Sequence, residues 1–166
     1  MGSTPAENAT FLKVMAMVSI HATSVYIDGK AVLIMGKSGA GKSMLALELI
    51  EQGALLIADD VTFLSQDNGG LYATASDETR GCIEARGIGI LSGLPTCRHV
   101  PVGYIVRLTD DYPPRLPENQ EYMTLCEMQV PVFDFCKNEK YLPTLVKIAG
   151  KIISKNVLSS GITRKG

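Results

Sequence analysis

Eight consecutive residues, Gly36-Lys37-Ser38-Gly39-Ala40-Gly41-Lys42-Ser43, satisfy the phosphate-binding pattern G-x-x-x-x-G-K-[ST] at every fixed position. The glycines let the backbone curl until successive N–H groups point inward at phosphate oxygens. Lys42 can then reach the outer phosphates and the Ser43 hydroxyl can ligate Mg²⁺. Phosphoryl transfer also needs a base or orienting group for the nucleophile, and the acids for it are Asp59 and Asp60. They follow Lys42 by 17 and 18 residues, about one helix plus one strand, which brings them beside the loop if the two strands are adjacent. Successive strand residues face opposite ways, so only one of the pair should point into the site. Three further places carry chemistry. His21 lies 15 residues before Gly36. Glu84 and Arg86 alternate with Ile83 and Ala85 and so share a face, offering a carboxylate to Mg²⁺ and a guanidinium to phosphate or, more simply, a surface ion pair. Arg115, in a proline-rich loop, is placed either to reach a transferring phosphoryl group or as ordinary surface.

The elements around the loop decide whether it is a nucleotide site, since the pattern should follow a strand and open a helix. Ala31–Met35 is a short apolar run of strand formers, and 44–52 consists of good helix formers closed by Gly53. Upstream, 19–27 reads as strand, and Asp28-Gly29-Lys30 as the turn of a hairpin into Ala31–Met35. Counting pairs across that turn carries His21 toward the phosphate loop. A hairpin here makes the strand before the loop antiparallel to the one feeding it, so the sheet should be mixed. Downstream, 54–58 is a strand delivering Asp59 and Asp60, and 61–64 and 71–74 are joined by the turn 66–70. Residues 82–91, with two glycines, suit neither helix nor regular strand throughout and should lie close to something. A strand over 100–108, an irregular loop over 110–118 and two short strands within 122–135 follow, with Pro131 restricting the second to an edge. The tail from 144 to 158 has helical periodicity through Leu145, Ile148, Ala149, Ile152 and Ile153, with Lys147, Lys151 and Lys155 on a solvated face.

Composition narrows the class. The 166 residues are 46% hydrophobic and 20% charged with a formal charge of −1, which fits one soluble globular domain, 1–166, with 1–18 as a loose N-terminal segment. It does not fit a protein that coats nucleic acid. Cys82, Cys97, Cys126 and Cys136 form no C-x-x-C pair and have no histidine at zinc-ligand spacing, so they read as reduced thiols of a cytoplasmic protein. The apolar run 11–20 is broken by Lys13 and Ser19, is too short to span a bilayer, and has no cleavage signal behind it. Neither a membrane nor a nucleic acid is indicated as a partner.

The phosphate loop, Leu56-Ile57-Ala58-Asp59-Asp60, the stretch Glu84-Ala85-Arg86-Gly87-Ile88-Gly89-Ile90 and His21 upstream together resemble the catalytic domain of HPr kinase/phosphorylase. The resemblance runs from His21 to about Leu91, and the acidic pair with E-x-R-G-x-G-I is more specific than the phosphate loop. It implies a P-loop mixed sheet with flanking helices, similar to the phosphoenolpyruvate carboxykinase-like fold. It also implies a kinase of the phosphotransferase system, using ATP or pyrophosphate with Mg²⁺ to phosphorylate a serine of the carrier HPr, and removing that phosphate by phosphorolysis. Carried over, Asp59 becomes the proton acceptor from the serine and the donor in reverse, and Lys42 and the loop amides hold phosphates. Ser43 and Glu84 hold Mg²⁺ with Asp60 as a further ligand, His21 belongs to the catalytic set, and Arg115 is the catalytic arginine at a shorter interval from Glu84 than usual. The match is to short alphaproteobacterial versions without an N-terminal domain. The arginine-rich continuation associated with phosphorolysis is absent after Val130-Pro131-Val132-Phe133. A homo-oligomer, a hexamer by resemblance, is expected. The alternatives are a small-molecule kinase or nucleotide hydrolase, which would turn over without HPr, and a nucleotide-dependent regulatory binding protein.

Overall fold

A computed structural model describes residues 17–163. The first part of the expected loose segment, 1–16, lies outside the described residues; Val18 already belongs to a strand. The strands are β1 (Val18–His21), β2 (Thr23–Ile27), β3 (Lys30–Met35), β4 (Leu55–Ala58), β5 (Val61–Asp67), β6 (Gly70–Thr74), β7 (Ile83–Ala85), β8 (Gly89–Leu91), β9 (Val100–Thr109), β10 (Glu121–Leu125) and β11 (Met128–Cys136). The helices are α1 (Lys42–Glu51) and α2 (Leu142–Thr163).

The main sheet runs β1-β5-β6-β9-β3-β2-β4, with β11 also on β9 and β10 on β11. It forks at β9 because that strand is long: β6 pairs with its start at Val100 and Pro101, while β11 pairs with its end from Ile105 to Thr109. The β2–β3 pair is antiparallel and the β3–β9 and β9–β11 pairs are parallel, so the sheet is mixed, as the Asp28-Gly29 hairpin required. β3 is buried from Ala31 to Ile34. Val32 and Ile34 pack under the helices with Leu45, Leu49 and Val146, while Ala31 and Leu33 pack on the other face with Ile57, Leu64 and Leu71. A strand covered on both faces has to be apolar without alternation, and this one is. The phosphate loop is thus carried by the most buried strand of the sheet.

Four expectations are corrected. First, 19–27 is two strands, not one. The chain bends at Ala22, β1 leaves to pair with β5, and β2 pairs with β3 and β4. The bend is fixed because the buried Thr62 hydroxyl donates to the Ala22 carbonyl at 2.8 Å. Second, the condition set for bringing Asp59 and Asp60 to the loop, that β3 and β4 be adjacent, is not met, since β2 runs between them. Third, β11 is an interior strand rather than an edge. Pro131 is tolerated because it sits opposite Tyr122 of β10, one residue before the parallel ladder to β9 begins at Val132. Fourth, α2 docks through Leu142, Val146, Ala149 and Ile153, leaving Ile148 and Ile152 exposed. Its packing partners fix the rotation, and Lys147 is turned toward Gln52 beyond the end of α1, donating to Oε1 at 2.6 Å.

Tyr104 on β9 anchors α2. Its hydroxyl donates to the Val146 carbonyl at 2.6 Å, and the helix comes so close that a Cβ at Gly150 would lie 3.0 Å from that oxygen. Burial pushes the ionisation of Tyr104 well above the ordinary tyrosine range, and the Asp28 carboxylate adds to the effect. A raised folded-state pKa means stability present at neutral pH and lost as pH climbs past about 10, where the unfolded chain's tyrosine ionises first. Tyr104→Phe is therefore expected to cost about 1 kcal/mol, lowering the melting temperature by roughly 2–4 °C at pH 7, and to reduce the loss of stability above pH ~10. Equal melting curves for the two proteins across pH would show that the bond contributes nothing.

Candidate active site at the phosphate loop

The loop between β3 and α1 has the geometry the glycine spacing demands. Gly41, with φ 94°, adopts a left-handed conformation immediately before the first turn of α1, which a side chain would resist. Gly36 has a different reason: a Cβ there would sit 3.1 Å from Ala40 Cβ and 3.3 Å from Leu108 Cβ, so the loop's first residue must be bare to pass the end of β9. Lys42 is only 7% exposed, and its ammonium donates to the Gly36 and Lys37 carbonyls at 2.9 and 3.0 Å. Those two bonds close the loop around the lysine and use two of its three donors.

Asp59 is where the surrounding elements converge. Its Oδ1 accepts from the Ser43 hydroxyl at 2.7 Å and from the Thr23 hydroxyl at 2.9 Å. Its Oδ2 accepts from the Glu84 backbone N–H at 3.1 Å. The three donors come from α1, β2 and β7. Although β2 separates β3 from β4, β2 is antiparallel to both, so β3 and β4 point the same way and end at the same edge. Thr23, the first residue of β2, fills the gap between them. A register shift in the β2–β4 ladder, where Ser24 opposes Ala58 but Val25 opposes Leu56, re-aims the end of β4 toward the loop.

Asp60 points elsewhere, as expected of one of the pair, but the cause is a turn after β4 ends at Ala58 rather than strand alternation. It takes a left-handed φ of 65°, with the Val61 N–H donating to the Asp59 carbonyl at 2.7 Å around it, and its carboxylate lies 3.4 Å from His21 Nδ1. Both side chains are more than half exposed. His21 therefore reaches the site by pairing with Val61 on β5 and meeting Asp60, not by continuing the hairpin ladder past Thr23. Ser43 and Asp59 stand together, with Glu84 beside them through its backbone; Asp60 and His21 form a second pair at the mouth.

Residues 83–91 form the separate hairpin β7–β8, and the closeness its glycines announced is the Glu84–Asp59 contact. Ile83 and Ala85 are buried, and Glu84 and Arg86 are exposed. Arg115 is exposed in the irregular segment after β9. That segment starts at Asp110, whose carboxylate lies 3.2 Å from the ammonium of Lys37 in the phosphate loop and 3.0 Å from that of Lys137 after β11. The Lys137 ammonium, then that of Lys37, holds the Asp110 carboxyl below the usual carboxylate range. Neither Thr23 nor Asp110 stood out in the sequence. A threonine at a strand start carries no motif, and the only hint was a pair of hydroxyl residues, Thr23 and Ser24, heading an otherwise apolar strand.

The oxygen donors at Ser43, Asp59 and Glu84 suit a hard cation. Among the described residues no three His, Cys, Asp or Glu converge as a group that could hold a metal ion by themselves.

A phosphate loop on a buried strand of a mixed sheet, with a carboxylate held against its serine, defines a P-loop protein of the phosphoenolpyruvate carboxykinase-like fold. Residues 13–96 match the model of the HPr Serine kinase C-terminal domain, and the chain belongs to that family. It is 46% identical over 89 residues to an HPr kinase/phosphorylase of Lachnoclostridium phytofermentans, covering 52% of this chain and 29% of that protein. It is 34% identical over 145 residues to one from Peptoclostridium acidaminophilum, covering 80% and 47%. The chain thus spans less than half the length of these relatives. A solved structure of the Hpr(Ser) kinase/phosphatase from Coxiella burnetii superimposes with a TM-score of 0.73 at 28% identity, over 89% of this chain and 95% of that one.

The Asp110 bridge has a testable consequence. Asp110→Asn removes both ion pairs, and amide hydrogen exchange in 110–118 should accelerate while the melting temperature stays nearly unchanged, since exposed pairs contribute little to global stability. Unchanged exchange would mean that the two lysines do not hold this segment.

Proposed function

We propose that this chain is an ATP-dependent protein-serine kinase acting on HPr or an HPr-like carrier, with or without phosphorolysis of the seryl phosphate it makes. The observation that carries the reading is the Asp59 carboxylate held at the phosphate loop by Ser43, Thr23 and Glu84. In the forward direction the serine hydroxyl attacks the terminal phosphorus, its proton passes to Asp59, and ADP leaves; in phosphorolysis inorganic phosphate attacks the seryl phosphorus, the protonated Asp59 carboxyl gives its proton to the departing seryl oxygen, and pyrophosphate forms. Lys42 and the amides of Gly36 to Ser43 hold the phosphates. Ser43 and Glu84 hold Mg²⁺, which when bound neutralises phosphate charge, and Asp60 lies further out because its carboxylate meets His21. That pair faces the incoming acceptor. Arg115, in the segment tethered to Lys37 through Asp110, is proposed to reach the transferring group.

A protein acceptor is favoured over a small molecule by the residues flanking these groups. Val61 beside Asp60, Ile88 and Ile90 beyond Glu84, and Leu116 beside Arg115 are all exposed, Ile88 by 78% and Leu116 by 86%. Exposed apolar patches rimmed by polar residues mark protein interaction sites, and these side chains are proposed as parts of such a surface. No helix among the described residues is long and apolar enough to cross a membrane. A cytoplasmic setting, where HPr would be met, is part of the proposal. Assembly into a homo-oligomer is part of the same proposal.

The test is incubation with Mg²⁺, ATP and HPr, read by intact mass. One added phosphate on HPr is expected from the wild type, with Asp59→Asn slowed by roughly 10²–10⁴-fold while still binding nucleotide. Added inorganic phosphate then tests phosphorolysis, which loss of the added mass with formation of pyrophosphate would show. Nucleotide binding without any modification of HPr would contradict the kinase reading and leave a regulator or another acceptor.

A further inference from the structure

We infer that Thr23 is the positioning residue that holds the Asp59 carboxylate in its working orientation. The inference rests on the proposed role of Asp59 and adds a residue to it.

Thr23 is fully buried, and its hydroxyl is committed in both directions. It donates to Asp59 Oδ1 at 2.9 Å and accepts the Asp60 backbone N–H at 3.1 Å. One hydroxyl therefore fixes the side chain of the first aspartate and the backbone of the second, across the end of β4 where the chain turns through a left-handed residue. With its acceptor side engaged by Asp60, the hydroxyl hydrogen is directed to Asp59. The neighbouring buried hydroxyls cannot substitute. Ser24 and Thr62 hydrogen bond to each other at 2.8 Å, and Thr62 donates onward to the Ala22 carbonyl.

The other two donors to Asp59 differ in kind. Ser43 opens α1 at the phosphate loop and is the residue that would ligate Mg²⁺, so its hydroxyl responds to whatever binds there. Glu84 offers its N–H from the small β7–β8 hairpin, which lies outside the main sheet. Thr23 alone reaches Asp59 from a buried position on the main sheet, away from the phosphates. Its bond is the one that persists while ligands come and go at the loop. Removing it leaves the carboxylate to the Ser43 hydroxyl and the hairpin's Glu84 N–H, and a carboxylate less restrained about its terminal torsion spends less time facing the acceptor.

The test compares Thr23→Val, which keeps the shape and deletes the hydroxyl, with Thr23→Ser, which keeps the hydroxyl. Ser24→Ala is the control, because it deletes an adjacent buried hydroxyl that does not touch Asp59. Thr23→Val is expected to lower kcat for HPr phosphorylation at least tenfold with the ATP dissociation constant within twofold of wild type. Thr23→Ser should stay within threefold in kcat, and Ser24→Ala should keep wild-type kcat even where its melting temperature falls. In parallel, the Asp59 side-chain carboxyl ¹³C resonance, assigned by its loss in Asp59→Asn, should move in Thr23→Val and not in Thr23→Ser or Ser24→Ala. If Thr23→Val does not fold, Thr23→Ala carries the same comparison. Wild-type kcat in Thr23→Val, an equal loss in Ser24→Ala, or an unmoved Asp59 resonance would overturn the inference. A wild type that fails to phosphorylate HPr would instead overturn the proposed function, and the carboxyl resonance would still decide the role of Thr23.

Discussion

The arrangement depends on one carboxylate. Asp59 lies at the end of β4, a strand that does not touch the strand bearing the phosphate loop, yet it is hydrogen bonded to the first turn of the helix that follows that loop. Three elements must be in place for this to happen. α1 has to start at Lys42, which needs a left-handed glycine before it. β2 has to run between β3 and β4 and start with a hydroxyl. The β7–β8 hairpin has to fold back so that a backbone N–H faces the second oxygen. A carboxylate carrying three donors from three elements acts as a positional lock.

Around that lock the two acids divide their work. Asp59 faces inward toward Ser43, while Asp60 turns outward to His21, and the Thr23 hydroxyl holds both, accepting the Asp60 N–H at the left-handed turn while donating to Asp59. The sheet supplies the rigidity. β3 and β9 are buried on both faces and paired on both sides, so the loop between β3 and α1 is built on the least deformable part of the molecule. The more exposed parts, the β7–β8 hairpin and the segment carrying Arg115, are attached to it through Glu84 and through Asp110. This division suits phosphoryl transfer, in which the phosphate cradle must be stiff and the acceptor side must admit a second molecule.

Much of this was legible in the residues. The eight-residue phosphate pattern, its flanking strand and helix, the Asp28-Gly29 hairpin and the mixed sheet all follow from local spacing and turn chemistry, whereas Asp59 and Asp60 diverge, as expected, for another reason: a left-handed turn held by Thr23. Long-range pairing was harder to read. Whether β3 and β4 are neighbours depends on where β2 inserts, and nothing within either strand encodes that. The bend at Ala22 depends on Thr62, forty residues away, and the rotation of α2 depends on Tyr104 and Gly150 rather than on its own periodicity. Thr23 was invisible for the same reason: its importance comes from what surrounds it in space, and a threonine at a strand start is unremarkable in sequence.

The most direct measurement is a crystal structure of the protein with Mg²⁺, a non-hydrolysable ATP analogue and an HPr-type carrier. The account predicts the carrier's seryl oxygen within about 2.6–3.2 Å of an Asp59 oxygen, the terminal phosphate in the Gly36–Ser43 loop, and Thr23 still bonded to Asp59. A seryl oxygen out of reach of Asp59, or facing another side chain, would contradict it.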